Sequence, residues 1–140
     1  MGVKGKRNIT NNKPGPVTLS ESDIASGFIS HFSGSLDVYP EVPTSNGICD
    51  IILKDNDIVT AIEVKRSFNF DVLEQAIRNR EIAHYSIIGT VYSKNLSFKK
   101  KLCVDYGLGL ILINDGIVIN EVNARLNRRI TKPNLEEWMK

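Results

Sequence analysis

Cysteine, histidine and tryptophan are scarce in this chain, and each shortage removes a class of protein. Cys49 and Cys103 are too few and too widely spaced for a zinc site or a disulfide framework, so both are expected as buried thiols. His31 and His84 lie far from each other and from either cysteine, each near an expected helix end, and are expected as satisfied or exposed side chains rather than metal ligands. No apolar run approaches the roughly 20 residues needed to span a bilayer, which argues against a membrane protein. The opening Met-Gly-Val-Lys-Gly-Lys has no signal-peptide apolar region, and Lys6 stands where a myristoylation motif takes Ser or Thr. Cytoplasmic residence is the resulting expectation.

What is present fits one compact domain, since 140 residues can bury a core large enough to fold unaided but would cramp two. The net charge is only +2, yet it is unevenly spread. Residues 1–16 hold Lys4, Lys6, Arg7 and Lys13 with no acid, among Gly, Asn and Pro, and read as a flexible basic arm ahead of a single domain over residues 17–140. Further basic clusters are Arg125, Arg128, Arg129 and Lys132, and Lys99, Lys100 and Lys101. Such patches neutralise phosphates in sequence-independent nucleic-acid binding, or are simply solvated.

The densest chemistry lies between Cys49 and Lys65. Two apolar runs, Cys49 to Leu53 and Ile58 to Val64, flank Lys54, Asp55, Asn56 and Asp57, residues that favour turns, so a β-hairpin is expected. Whether its loop is Asp55 and Asn56 alone or all four residues, symmetric closure sets Leu53 opposite Ile58 and Asp50 opposite Ala61. Alternation along a strand then puts Ala61, Glu63 and Lys65 on the face of Asp50. Cys49, Ile51, Leu53, Ile58, Thr60, Ile62 and Val64 fall on the other, expected as core. Diagonal neighbours across strands lie roughly 7 to 8 Å apart, close enough for two carboxylates to share a divalent cation beside a lysine.

Magnesium takes hard oxygen ligands and keeps several waters, so Asp50, Glu63 and the backbone carbonyl of Val64 suit it, with manganese able to substitute. A cation there activates a water, orients a phosphate and stabilises the leaving oxygen. Lys65 would position or deprotonate that water, or neutralise charge in the transition state. The same charges on an edge strand also discourage edge pairing. Against that plainer role, an acid inside an almost wholly apolar strand normally needs a partner or a cation.

Around the hairpin, Thr18 to Phe32 is expected as a helix, with Ile24, Ala25, Phe28 and Phe32 at helical spacing. Either Thr18 with Glu21 or Ser20 with Asp23 forms its capping box. Glu21 falls on the inward stripe, as a site acid or as a cap. Leu36 to Val42 alternates as a strand, with Glu41 near its end as a further acid or an exposed residue. Asp71 to Ala83 is expected as a helix, Tyr85 to Tyr92 as a strand parallel to Ile58–Val64. A third helix carries Phe98, Leu102 and Tyr106 inside and ends at Gly107. Leu108 to Ile113 and Ile117 to Val122 form a hairpin around Asn114-Asp115-Gly116. Asn134 to Met139 reads as a short helix.

Asp50 followed on the next strand by Glu63-Val64-Lys65, with a helix before and after, resembles the PD-(D/E)xK nuclease superfamily over residues 18–122. Small prokaryotic and phage members related to Holliday-junction resolvases and MmcB-like proteins are the most similar. The shared landmarks are Glu21, Glu41, Asp50, Ile62-Glu63-Val64-Lys65 and Gly107-Leu108-Gly109-Leu110, while Cys49 replaces the proline of the motif. The resemblance implies an α/β fold: a restriction-endonuclease-like mixed sheet flanked by helices, with an α-β-β-β-α-β core plus a helix and terminal hairpin. It also implies DNA cleavage that leaves a 5′ phosphate and a 3′ hydroxyl. Asp50 and Glu63 would be metal ligands, joined by Val64 and in some arrangements by Glu21 or Glu41. Lys65 would be the catalytic lysine, with Glu21 and Gln75 bordering the site. Branched or damaged DNA, a homodimer, and phosphate contacts from Arg66, Arg125, Arg128, Arg129 and the arm all fall within the same expectation. A non-cutting member of the fold that binds nucleic acid or a partner protein is the alternative, and a regulatory protein on a small α/β scaffold is a third class.

If the basic arm contacts phosphates, deleting residues 1–16 should weaken DNA binding, most visibly at low salt. Anisotropy titrations of the full and shortened chains at two ionic strengths test this; unchanged affinity would make the arm a bystander.

Overall fold

The computed structural model describes residues 19–128 and 130. Its elements run α1 (Glu21–Phe32), β1 (Asp37–Thr44), β2 (Gly47–Asp55), β3 (Ile58–Val64), α2 (Phe70–Asn79), β4 (Tyr85–Val91), α3 (Ser97–Tyr106), β5 (Gly109–Asn114) and β6 (Ile117–Val122). The six strands form one mixed sheet in chain order, β1 to β6. Parallel pairing joins β3 to β4 and β4 to β5, each through a helix, and antiparallel pairing joins the rest. This is the α/β mixed sheet flanked by helices that the pattern of elements predicts. The expected helix over Asn134 to Met139 lies outside the described residues.

Local sequence explains most boundaries. Ser20 caps α1 and Asp23 closes the box, their reciprocal bonds being 3.1 and 3.3 Å, so the helix starts at Glu21. Asn69 caps α2 by accepting from the Val72 N–H at 2.8 Å. Gly107 ends α3 in the left-handed region at φ 73°, which costs glycine little. Asp115 and Gly116, both at positive φ, close the two-residue turn between β5 and β6. α2 stops at Asn79, and the chain turns so that Ile82 and Ala83 bury themselves beside Val59 and Ala61.

Both faces of the sheet are core. On one, Ile24 and Phe28 of α1 pack on Ile51, Leu53, Ile62, Val64, Ile111 and Ile113. On the other, Val72, Leu73 and Ala76 of α2 and Cys103 of α3 pack on Ile88, Leu108, Leu110 and Leu112. The inward residues of α3 are therefore Cys103 and, partly, Leu102, whereas Phe98 and Tyr106 are exposed. That corrects the expected stripe; the buried thiol at Cys103, with Cys49, is as expected.

The hairpin register also differs from expectation. Asp55 pairs with Ile58 and Ile52 with Ala61, so the turn is Asn56 and Asp57, with Asn56 at φ 55°. The ladder ends at Ile51 opposite Ile62, and Ala61 faces Ile52 rather than Asp50. The expected pairing is therefore shifted by two residues along the paired part of the hairpin.

A second departure lies at the junction of β1 and β2. Pro40 pairs with Ile51 and Val42 with Cys49, but Glu41 between them has φ 52°. This left-handed residue breaks the pleat, and Val42 and Cys49 cross to the cluster of Ile52 and Ala61 instead of following Ile51. Cys49 thus sits on the face opposite to the one alternation assigns it.

Phe28 is fully buried, and its ring occupies the space above Gly89, where an added Cβ would lie 2.7 Å from it. Phe28→Ala should destabilise the fold by about 3–5 kcal/mol, and Gly89→Ala by about 1–3 kcal/mol through overpacking. Urea unfolding curves measure both.

Candidate functional site

Glu63 is the acid the fold treats most unusually. It occupies the end of central strand β3 and is 5% exposed. Its carboxylate accepts a 2.9 Å hydrogen bond from the side-chain amide of Asn79, itself buried at the end of α2. Burial pushes its pKa up from 4.5 to about 7; the Asn79 bond opposes that rise and the neighbouring Asp50 charge adds to it. The Cys49 thiol adjoins the same group and is raised well above its usual value, first by burial and then by the Glu63 charge.

Asp50 sits where the pleat of β2 is disturbed. Its carboxylate accepts from the Val64 N–H at 2.8 Å. In an extended strand a residue's N–H and C=O leave on the same side, so the Val64 carbonyl is also directed toward β2. Asp50 and Val64 line a cleft of about 250 Å³ against α1, together with Glu21, Ser22, Ala25, Ser26, Ile29, Pro40 and Glu41. Asp50 therefore opens toward α1 while Glu63 is anchored toward α2, and the two carboxylates meet at the sheet edge between them.

Lys65 follows directly on β3, its backbone N–H held by the Gly89 carbonyl at 3.0 Å. Its ammonium is 3.7 Å from the Glu21 carboxylate. Glu21 is thus the partner of the lysine, and the capping role belongs to Asp23. Arg66 donates from Nε to the Leu19 carbonyl at 2.9 Å, which ties the loop after β3 to the start of α1. Gln75, exposed on α2, borders a small recess with Glu63, Arg78 and Asn79.

Among the described residues no three His, Cys, Asp or Glu side chains come together to hold a metal. Glu21 and Glu41 share the cleft with Asp50 without forming such a set. The donors on offer are two carboxylates and one backbone carbonyl, and water must complete the sphere. That all-oxygen donor set is of the kind that suits magnesium or manganese, which are oxygen-liganded and retain water.

The basic positions separate. Arg66 stands beside Lys65. Arg125 lies at the opposite end of the sheet, its backbone N–H on the Gly107 carbonyl and its guanidinium over Gly107 at the carboxyl end of α3. Arg128 is exposed in the strap after β6, where Asn127 N–H bonds the His84 carbonyl at 2.7 Å. Lys100 pairs with Glu121 and Lys101 with Asp105, so two of the three lysines have local partners. Lys4, Lys6, Arg7, Lys13 and Arg129 lie outside the described residues. His84 accepts from the Val59 N–H through Nδ1 at 3.0 Å, a satisfied side chain as expected.

Asn79 was missed by sequence reasoning although a signal existed. It falls a turn after Ala76 on the apolar stripe of α2, where an amide is out of place unless something buried needs its N–H.

No protein-family model and no curated protein matches the chain. Among solved structures, the fold is similar to that of the SPO1766 protein of unknown function from Silicibacter pomeroyi. The two share 14% identity at a TM-score of 0.63, over 80% of this chain and 77% of that one. This likeness shows the fold alone. No helix of the described residues is long and apolar enough to cross a membrane.

A buried acid with a raised pKa makes stability depend on pH. Between 4.5 and about 7 the folded chain keeps a proton on Glu63 that the unfolded chain has released, so stability falls as pH rises through that window. In EDTA the melting temperature should decline from about pH 5 to about pH 8, and Glu63→Gln should flatten the decline. A flat wild-type profile would mean that Glu63 is not buried as described.

Proposed function

We propose that this protein is a metal-dependent phosphodiesterase that cleaves DNA, with Asp50, Glu63 and Lys65 as its catalytic residues. The observation that supports the reading most is the pairing of a buried acid with a second acid. Asp50 lies close enough to Glu63 for its charge to act on that carboxyl, and the polar groups that hold the two acids are the Val64 N–H and the Asn79 amide. Two ionised carboxylates at such a place repel each other unless a cation binds, and a divalent cation relieves both.

Asp50 and Glu63 would hold the ion, with the Val64 carbonyl directed to the same side. When bound, magnesium polarises a phosphate oxygen and lowers the pKa of a water. Lys65 stands at the rim to orient that water and to neutralise charge on the phosphate, and Glu21 holds its ammonium in place at 3.7 Å. Water attacks phosphorus as the P–O3′ bond breaks; the strand ends become a 5′ phosphate and a 3′ hydroxyl. Asn79 keeps the Glu63 carboxylate aimed, and Gln75 borders the recess behind it. The acid-acid-lysine order resembles the PD-(D/E)xK nucleases.

With magnesium or manganese the purified protein should cut DNA, and Asp50→Asn, Glu63→Gln and Lys65→Ala should each lower the rate by about 100-fold or more. Magnesium should also raise the wild-type melting temperature at mildly alkaline pH and leave Glu63→Gln unmoved. Cutting retained in all three variants would sink the proposal. Magnesium-independent melting together with DNA binding would favour the non-cutting alternative.

A further inference from the structure

Exposed aromatic side chains gather at one end of this molecule, beside the candidate site. The strands β3 and β4 are parallel, so the loops that follow them, residues 65–69 and 92–96, emerge at the same edge of the sheet. They are joined there: the Val91 N–H bonds the Arg66 carbonyl at 3.3 Å, and Phe68 and Leu96 pack on the same cluster. Phe70 opens α2, Tyr92 follows β4, and Phe98 lies in the first turn of α3. Their exposures are 77%, 43% and 65%. Single exposed aromatics are ordinary, but three at one rim form a surface with no packing role.

The two loops themselves carry charge of one sign, with Glu21 of α1 reaching Lys65 at 3.7 Å. The segments Lys65-Arg66-Ser67-Phe68-Asn69-Phe70 and Tyr92-Ser93-Lys94-Asn95-Leu96-Ser97-Phe98 contain three cations and no acid. Asp71, the next residue along, is the acid nearest in sequence. Neither does α3 carry an acid in its first turn or a side-chain cap at its N-terminus. Phe70 and Phe98 open the helices that follow these two loops, α2 and α3, which pack on one cluster of the same sheet face. A duplex keeps its base faces stacked inside and offers a rigid phosphate surface. Aromatic faces interleaved with Lys and Arg suit bases that are already unpaired.

We infer that the nucleic acid taken by this site carries unpaired bases, and that Phe70, Tyr92 and Phe98 stack on them while Arg66 and Lys94 contact the adjoining phosphates. The inference rests on the phosphodiesterase reading of Asp50 and Glu63 and names its substrate class: single-stranded DNA, or DNA with a single-stranded part.

The test separates binding from cutting. The full chain in EDTA is titrated by fluorescence anisotropy against a labelled mixed-sequence single strand and against the blunt duplex of that sequence. The single strand should bind at least about tenfold tighter, and Phe70→Ala, Tyr92→Ala and Phe98→Ala should each weaken it about five- to hundredfold. Tyr92→Phe should restore binding, and the alanine variants should melt as the wild type does, because all three positions are exposed. Equal affinity for the duplex, no binding of either DNA, or alanine variants that bind like the parent would overturn the inference. Cleavage with magnesium is then assayed on the same DNAs. Cutting indifferent to the three alanines overturns this inference alone. Stacking-dependent binding without cutting supports it as a binding surface and overturns only the catalytic reading.

Discussion

A carboxylate on the central strand of a sheet must be compensated, and the arrangement around Glu63 follows from that requirement. Desolvation alone would cost the ionised group several kcal/mol, so the fold brings it an amide from Asn79 and leaves it beside the sheet edge rather than in the middle of the core. Asn79 can be there because α2 lies across β3 and ends at that residue. The turn that follows then carries Ile82 and Ala83 down to seal the same face. The termination of a helix, the burial of two apolar residues and the anchoring of one acid are a single packing solution.

The cleft on the other face has a different origin. Regular alternation along β1 and β2 would leave Asp50 pointing squarely to the α2 face with Ile52. The left-handed backbone at Glu41 breaks that regularity, sends Val42 and Cys49 to the α2 face, and lets Asp50 open toward α1. Irregularities of this kind in paired strands re-aim side chains next to functional sites. Glu21 completes the geometry from the helix: capping falls to Asp23, which frees the Glu21 carboxylate to pair with Lys65.

Much of this was legible in the chain. The order of helices and strands followed from periodicity and turn residues, and it is the order observed. Strand parity predicted one face for Asp50, Glu63 and Lys65, but the pleat breaks at Asp50, which opens toward α1 while Glu63 is held toward α2 by Asn79. The α3 stripe was misread because Phe98 and Tyr106 fit helical spacing with Leu102, and spacing cannot say which of two overlapping stripes meets a neighbour. Cys103 meets it, leaving Phe98 free at the rim where Tyr92 and Phe70 also emerge.

The sequence by itself determined the element order, the hairpin, and the three charged residues that share its end, because these depend on local pattern and on the period of the strand. Tertiary structure alone decided that Asp55 rather than Leu53 meets Ile58 and that Cys49 and Asp50 escape simple alternation. It also decided that Asn79 holds Glu63 and that Glu21 holds Lys65. Each of those outcomes depends on which surface packs against which, and on where a buried charge finds its donor, and neither is a property of any short stretch of chain.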